Sequence, residues 1–481
     1  MSSAYSIPQQ TETDQIKKFR HVLCAYPYRR DLGKMSFFPP LGLEYIAATV
    51  EPYAQTLDIV DMRQETGRTK DFLRPETDLV CFSVNWDSDT EFLQEEIRSV
   101  GSDMTVVLGG RHATEDPERW LSAFPNVSMV VRGDGEEAME EICRGLSLET
   151  IPGLSFRKDS RIVHNPNRVT GAVKDRLYPN RRRRRYSYEI NFEGIATGVT
   201  IDTLSSSRGC PYNCTFCSFS HNPWGEKRGW SARSPESVVE ELAQIEAPIV
   251  GFTDDLFTLK MDRVERICDL IIARKIRKKF LINARLEIAR HPEVLRKMEQ
   301  AGFTLLMLGI ESTCDRTLRS MGKGFDTQRI REYCNVLRHS SMVLHGYFIL
   351  GNIGESVKEM LQIPTFAHEI GLDTIAISTL RVSPHSALEE LVAANPGYQI
   401  AHDGKVYSDQ CHGKELRQLR RRIHKEFYSP RQVLQLLRKG ISNGALRLLP
   451  NVLLRSPIII QTLLKRRGKH NGKVRKRAKA L

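Results

Sequence analysis

Three cysteines, Cys210, Cys214 and Cys217, fall within eight residues in the stretch Ser205-Ser206-Ser207-Arg208-Gly209-Cys210-Pro211-Tyr212-Asn213-Cys214-Thr215-Phe216-Cys217. No other feature limits so sharply what this chain can fold around. One loop brings three thiols to a common place only where something there binds them. A structural zinc site closes with four protein ligands, and no convincing fourth Cys or His follows until His221. An iron-sulfur cubane held by three thiolates leaves one iron without a protein ligand, and chemistry can happen there. Taken alone, the spacing leaves a zinc knuckle or a chance cluster as the alternative.

The chain has 481 residues, of which 40% are hydrophobic, enough for two or three domains with separate cores. Residues 1–20 are polar and lack the apolar run of a signal peptide, so they read as a disordered leader. Ten cysteines without a disulfide-like pattern suit a reducing compartment, which gives a cytoplasmic expectation. The net charge of +13 is uneven. Residues 411–481 hold twenty Lys and Arg against two Glu, a net +18, which leaves −5 for residues 1–410. Any argument from positive charge therefore belongs to the tail.

Residues 21–158 read as a Rossmann-like α/β domain. Val22-Leu23-Cys24-Ala25, Leu57-Asp58-Ile59-Val60, Leu79-Val80-Cys81-Phe82-Ser83 and Thr105-Val106-Val107-Leu108 are short apolar runs separated by helical stretches. That alternation predicts a doubly wound parallel sheet with ligands beyond the strand C-termini. Those ends carry Ser83-Val84-Asn85, Gly109-Gly110-Arg111-His112 and Arg132-Gly133-Asp134-Gly135-Glu136-Glu137. Glycines there let a backbone approach a flat or polyanionic ligand, although tight strand-to-helix turns favour them too. Cys24 and Cys81 lie inside apolar strands and Cys143 on a helix face, so all three read as small core residues.

Residues 159–203 read as a linker, with Arg181 to Arg185 as a like-charged run kept in solvent. Residues 204–391 alternate again, with strands at Pro248 to Phe252, Phe280 to Asn283, Leu305 to Leu308, Leu344 to Leu350 and Thr374 to Ser378. Parallel strands with crossover helices predict a barrel or partial barrel whose active face lies at the strand C-termini. At those ends stand Asp254 and Asp255, Arg285, Glu311, and Gly351-Asn352-Ile353-Gly354-Glu355-Ser356. The carboxylates can accept hydrogen bonds from an ammonium, and the arginine can clamp a carboxylate bidentately.

Residues 392–481 read as a basic helical extension. Ser429-Pro430 opens a helix, followed by Leu446-Arg447-Leu448-Leu449, Val452-Leu453-Leu454 and Ile458-Ile459-Ile460 among Lys and Arg. No apolar run approaches the ~20 residues needed to span a bilayer. Apolar residues interleaved with basic ones suit an anionic membrane surface. Phosphate-directed nucleic-acid binding is the competing reading and is not the expected one.

The cysteine loop, with Phe216 before its last Cys and Arg208-Gly209 before its first, resembles the radical SAM enzymes. Pro39-Pro40-Leu41-Gly42, Gly109-Gly110-x-His112 and Gly133-Asp134-Gly135-Glu136-Glu137, in that order ahead of the loop, resemble the cobalamin-binding domain of the cobalamin-dependent radical SAM methyltransferases. The resemblance implies a [4Fe-4S] cluster on Cys210, Cys214 and Cys217, with S-adenosylmethionine on its fourth iron. It implies S-adenosylmethionine contacts at Phe216, Asp254, Asp255, Arg285, Glu311 and Gly351, on a six-repeat partial barrel. It implies cobalamin contacts at Ser83, Gly109, Gly110, His112, Gly133, Gly135 and Glu136. Asp61-Met62-Arg63 lies where many cobalamin proteins place Asp-x-His, so cobalt is not expected on that histidine.

The activity implied is hydrogen abstraction from an unactivated carbon by a 5′-deoxyadenosyl radical, followed by methyl transfer from cobalamin. Arg208 to Lys227, Phe252-Thr253-Asp254-Asp255 and His345-Gly346-Tyr347-Phe348 look similar to the hopanoid C-3 methylases, which implies a lipid-like substrate, a polycyclic triterpenoid. A flavodoxin or ferredoxin is the expected electron donor, and the expected location is cytoplasmic, peripheral at the inner face of the plasma membrane. The rivals are a radical SAM methylthiotransferase acting on tRNA, which would carry a second cluster, another cobalamin radical SAM enzyme acting on a small natural product, and a non-catalytic iron-sulfur or cobalamin-binding protein.

Overall fold

The computed structural model describes residues 18–29, 38–86, 90–169, 173–175, 177–192, 195–222, 224–383, 385–409 and 411–445. They form two compact units, one built mainly from Pro40–Val169 with Leu177–Tyr186, the other from Ser187 onward.

The first unit is a seven-stranded sheet in the order β2-β1-β3-β4-β5-β6-β7. Its strands are β1 (Phe19–Tyr26), β2 (Ala54–Asp61), β3 (Thr77–Ser83), β4 (Thr105–Gly109), β5 (Met129–Val131), β6 (Leu154–Lys158) and β7 (Arg161–His164). The first five are parallel and the last two antiparallel. The helices are α1 (Leu41–Val50), α2 (Thr90–Arg98), α3 (Arg111–Glu115), α4 (Pro117–Ala123) and α5 (Glu136–Cys143). Val22 to Ala25 are fully buried, as a central strand covered on both faces requires. The chain reverses direction of winding between β1 and β3, which creates a crevice at their C-terminal ends.

The stretch 159–203 departs from a linker. Strand β7 extends the first sheet, and residues 177–186 pack on the first unit. Arg184 donates to both oxygens of the fully buried Glu44 carboxylate, at 2.5 and 2.7 Å. Arg183 pairs with Glu51 at 2.7 Å and Arg185 with Glu65 at 3.3 Å. The physical reason is pairing at long range: a buried carboxylate needs a cation, and these partners lie more than a hundred residues away in the chain, where a local charge count misses them.

The second unit holds a seven-stranded sheet in the order β16-β15-β14-β13-β12-β9-β8. Its strands are β8 (Glu189–Phe192), β9 (Ile195–Leu204), β12 (Ile249–Phe252), β13 (Lys279–Ala284), β14 (Phe303–Glu311), β15 (Val343–Leu350) and β16 (Thr374–Thr379), while β10 (Ser207–Arg208) and β11 (Ser231–Ala232) form a small pair beside the cysteine loop. Within the seven-stranded sheet all are parallel except β8 at the edge, and β10 and β11 pair antiparallel. Crossovers are made by α6 (Pro235–Gln244), α7 (Met261–Ala273), α8 (Pro292–Ala301), α9 (Asp315–Ser320), α10 (Thr327–Leu337), α11 (Val357–Met360) and α12 (Ile363–Glu369). Then follow α13 (Leu388–Ala393), the hairpin β17 (Tyr398–Ile400) and β18 (Val406–Ser408), α14 (Gly413–Phe427) and α15 (Pro430–Ser442). Six parallel strands in chain order with outer helices make the partial (β/α)6 barrel.

Alternation assigns each strand residue to one of two faces. Val250, Phe280, Leu306, Leu344 and Phe348 join the core under the helices. Phe252, Phe257, Phe280 and Phe303 meet there with ring centroids 4.7 to 6.0 Å apart, at tilted and stacked angles that aromatic quadrupoles favour. On the inner face Val199, Ile201 and Ile249 form a separate apolar floor with Phe38 and Leu281.

Candidate active site

The approach to the cysteine loop is fixed by buried charge. Asp254, just past β12, is fully buried and accepts the Ser206 backbone N–H at 2.7 Å and the Ser206 and Ser207 hydroxyls at 2.5 Å each. Burial pushes its carboxyl pKa up, against the pull of those donors. Arg263 donates to the Ser206 carbonyl at 2.9 Å, and Arg233, paired with the buried Glu241, reaches the Ser205 carbonyl at 3.3 Å. Asp255 accepts the Gly209 N–H at 2.8 Å. The far side of the loop rests on the turn after α9, where the Thr215 N–H donates to the Met321 carbonyl at 3.1 Å. Gly322, at φ +67°, lets this turn come close: a Cβ there would stand 3.0 Å from the Asn213 carbonyl oxygen.

The three thiols are half-buried. Burial pushes the Cys217 thiol up to about 11 and raises Cys210 as well, and the neighbouring sulfurs of the trio add to both. The three therefore sense one another. Among the described residues, no three Cys, His, Asp or Glu side chains converge as ligands of one ion. Three half-buried thiols on one loop supply the donor set that a three-cysteine iron-sulfur cluster takes. His221 is bonded through Nδ1 to the Ser220 hydroxyl at 3.0 Å.

The other strand ends divide into supports and open groups. Asp254 is a support, because its oxygens already hold three donors of the loop. That differs from a contact to the methionyl ammonium. Arg285 is also committed: it forks onto Glu287 at 2.9 and 3.2 Å, donates to the Lys323 carbonyl at 2.7 Å and lies 3.7 Å over the Tyr212 ring. Its fork thus braces the loop rather than standing ready for a carboxylate. Glu311 differs. It sits at φ +72°, which costs a non-glycine residue of order 1–3 kcal/mol and is a mark of functional sites. Its carboxylate lies 3.2 Å from Lys323 Nζ, which is 6.0 Å from the Phe216 ring centre. Gly309 leaves the room, since a Cβ there would meet the Glu311 carboxylate at 2.5 Å.

The glycine-rich turn forms with Ile353 in place of proline. Gly351 and Gly354 take φ of +78° and +75°, and Glu355 accepts from Asn352 Nδ2 at 2.9 Å and the Ser312 hydroxyl at 2.8 Å. Burial pushes the Glu355 carboxyl up to about 7.

Above the apolar floor, the inner face carries Asn283, Met307, His345 and Thr374 as register neighbours on successive strands. His345 Nδ1 meets the Thr374 hydroxyl at 2.8 Å, and burial pushes its pKa down to about 4, so the ring is neutral. Tyr347, 37% exposed, stands edge-on to His345 with ring centroids 4.9 Å apart.

In the first unit, the crevice at the β1/β3 ends is built by two tyrosines and a tryptophan. The Tyr28 hydroxyl accepts the N–H groups of Asn85 and Trp86, both at 2.8 Å. Trp86, 55% exposed, donates Nε1–H to the Tyr26 hydroxyl at 3.2 Å. Ser83 accepts from Asn85 Nδ2 at 2.9 Å. Gly110, at φ +98°, has no room for a side chain: a Cβ would meet Asn85 Oδ1 at 2.5 Å and the Val84 carbonyl at 2.7 Å. Gly109 ends β4, the Gly133 N–H donates to the Thr114 hydroxyl at 3.1 Å, and Gly135 precedes Glu136 at the start of α5. His112 is turned toward its own helix, 3.5 Å from Glu115 and edge-on to Trp120. A flat exposed indole beside a glycine-lined crevice at a topological switch point fits a broad macrocycle. In place of the absent histidine, Arg63 forks onto buried Asp61 at 2.9 and 2.7 Å and lies 4.5 Å over the Tyr26 ring. Cys24 and Cys81 are register partners in the core. Contact with Cys24 and burial push the Cys81 thiol well up, and burial pushes Cys143 up to about 12. Cys81 and Cys143 are thereby kept protonated, and all three cysteines are buried in an apolar core, a poor setting for a second cluster.

Lys323 and Trp86 escaped the sequence reading, and Arg63 entered it only as the residue standing where a histidine is missing. The Gly322-Lys323-Gly324 turn was the visible signal for the first; the other two needed the sheet order.

A family model described as the radical SAM superfamily matches residues 204–367, and one described as a B12 binding domain matches residues 36–143. An uncharacterized methyltransferase of Pyrococcus horikoshii is 27% identical over 372 residues, 74% of this chain and 79% of that one. A cytidylyl-2-hydroxyethylphosphonate methyltransferase of Streptomyces wedmorensis is 26% identical over 438 residues, 76% of this chain and 80% of its own. A hopanoid C-3 methylase of Methylococcus capsulatus is 26% identical over 329 residues, 63% of this chain and 61% of its own. In fold, the chain is similar to the radical S-adenosylmethionine methyltransferase TsrM of Kitasatospora setae, solved with cobalamin and a [4Fe-4S] cluster. The TM-score is 0.64 at 17% identity, over 80% of this chain and 78% of that one. With a B12-binding domain ahead of a radical SAM domain, this chain is a cobalamin-dependent radical SAM methyltransferase that works with a [4Fe-4S] cluster, S-adenosylmethionine and cobalamin.

Proposed function

We propose that the enzyme methylates an unactivated carbon of a neutral, largely apolar substrate, with C-3 methylation of a hopanoid as the specific reaction. The observation that carries this reading is the inner face of the partial barrel. Its floor is apolar, and its middle layer of Asn283, Met307, His345, Tyr347, Thr374 and Ser378 holds no charge at neutral pH, because burial keeps His345 unprotonated. A phosphonate or tetrapyrrole carboxylate would need a cation there. A polycyclic hydrocarbon with a hydroxyl-bearing end would not. Partial identity to a hopanoid C-3 methylase supports the same substrate class.

When bound, the cluster and S-adenosylmethionine supply the radical that removes hydrogen, and cobalamin supplies the methyl group. Cys210, Cys214 and Cys217 hold the cluster. Glu311 and Lys323, ion-paired beside Phe216 at the rim, offer an acceptor and a donor to the ribose or methionyl end of S-adenosylmethionine. Asp254, Arg263 and Arg233 keep the loop in place. Tyr347 and Ser378 present hydroxyls to the substrate. Trp86, Gly110 and Gly133 line the cobalamin crevice, with Arg63 in place of a histidine. A flavodoxin or ferredoxin supplies electrons, and the enzyme works at the cytoplasmic face of the plasma membrane.

The test is anaerobic turnover with cobalamin, S-adenosylmethionine and a reductant on lipid extracts. The reading expects a mass gain of one methylene on a polycyclic triterpenoid. A methylated nucleotide or tetrapyrrole in parallel reactions, with the triterpenoids unchanged, overturns the substrate and leaves the enzyme class standing.

A further inference from the structure

The last two described helices dock in opposite senses. Helix α14 turns Leu416, Ile423 and Phe427 into the core and leaves Arg417, Arg420, Arg421, Arg422 and Lys425 outside, as an amphipathic helix on a soluble core should. Helix α15 is inverted. Its polar face holds it to the barrel: Gln432 Nε2 donates to the carbonyls of Leu372 and Asp373 at 2.8 and 2.9 Å, and Lys439 Nζ pairs with the Asp373 carboxylate at 2.6 Å. Gln435 reaches the same carboxylate at 3.2 Å.

That docking turns the apolar face outward. Val433, Leu434, Leu437 and Ile441 are 47%, 49%, 47% and 66% exposed. At 100° per residue they form one stripe along the helix. Arg431 and Arg438 border it and are exposed, and no acidic residue stands anywhere on α15. We propose that this stripe is a docking surface for an anionic lipid bilayer, entered by the four apolar side chains and steered by the flanking arginines.

Charge selects the occupant. Residues 446–481 follow directly in the sequence and hold eleven Lys or Arg and no acid, so to cover the stripe their own apolar runs would have to bring that charge against Arg431 and Arg438. A second copy of α15 would oppose arginine to arginine in the same way. Anionic headgroups have the opposite sign, and each basic residue near such a surface strengthens binding. Among the described residues no helix is long and apolar enough to cross a membrane, so contact through this helix is at the interface. This surface is independent of which substrate the barrel takes.

The test uses full-length holoenzyme and co-sedimentation with phosphatidylglycerol vesicles and with phosphatidylcholine vesicles. The wild type partitions to the first and weakly to the second. The double variant Arg431→Gln/Arg438→Gln weakens partition about 30-fold at low salt, and Leu434→Ser/Leu437→Ser weakens it at least about tenfold. In Leu437→Trp, fluorescence is quenched by brominated lipid on binding. Wild-type partition in both double variants overturns the proposal in favour of residues 446–481 alone. Failure of brominated lipid to quench shows the stripe covered by the chain itself and overturns it too. A halved mass by light scattering in Leu434→Ser/Leu437→Ser assigns the stripe to a second copy, and the proposal falls.

Discussion

The backbone N–H of Ser206 donates to the Asp254 carboxylate at 2.7 Å, which ties the end of one barrel strand to the segment entering the cysteine loop. Asp254 accepts two hydroxyls as well, so one buried side chain sets the direction in which the loop leaves.

Replacing it therefore acts on the cluster at a distance. Asp254→Ala leaves three buried donors without their acceptor, at about 1–3 kcal/mol each. We predict that it loses most of its iron on gel filtration, and that Asp254→Asn, which keeps one acceptor oxygen, retains an intermediate amount. Iron and acid-labile sulfide per chain are the measurement.

The opposite side of the loop gives a second prediction. Gly322→Ala sets a Cβ 3.0 Å from the Asn213 carbonyl and forces φ +67° on an L residue, worth roughly 1–2 kcal/mol. Cluster content should fall, while cobalamin bound by the first unit, read from its visible absorbance, stays at the wild-type level.

Much of this site was legible beforehand. The three-cysteine spacing marked the loop that Asp254 and Gly322 hold in place, and strand periodicity marked the strands of both sheets, because a parallel strand buried on both faces writes itself as an apolar run. Roles at the strand ends were less legible. Asp254 and Arg285 carry the right chemistry for S-adenosylmethionine, yet the chain's own Ser206, Ser207, Glu287 and Tyr212 take up that chemistry. Sequence shows a residue's capacity, and only folding shows which partner reaches it first. The arginine run taught the same lesson, since Glu44 and Glu51 are remote in sequence and adjacent in space.

That run yields a third prediction. Arg184→Ala removes the fork onto the buried Glu44 carboxylate, a loss of order ~3 kcal/mol. The first unit should melt earlier and release cobalamin, whereas Arg182→Ala should leave both unchanged. Differential scanning calorimetry of the cobalamin-loaded protein separates the two.

A fourth concerns pH. The Glu355 carboxyl titrates near 7 in the fold because it is buried, against 4.5 for an ordinary glutamate. Between those values the folded chain binds the proton more tightly than the unfolded one. Its contribution is complete below about 4.5 and is lost as pH rises through 7, a change of roughly 3 kcal/mol. Glu355→Gln removes the dependence, so its thermal midpoint relative to wild type should rise between pH 5.5 and 8. A constant difference across that range contradicts the burial argument.

The central claim is that Cys210, Cys214 and Cys217 seat a cluster at which S-adenosylmethionine is opened. Its most direct test is 5′-deoxyadenosine formed per chain after anaerobic reconstitution with iron, sulfide, cobalamin, S-adenosylmethionine and a reductant. The account predicts 5′-deoxyadenosine from the wild type and none above background from Cys210→Ala, Cys214→Ala or Cys217→Ala. Undiminished 5′-deoxyadenosine in any of the three variants would contradict it.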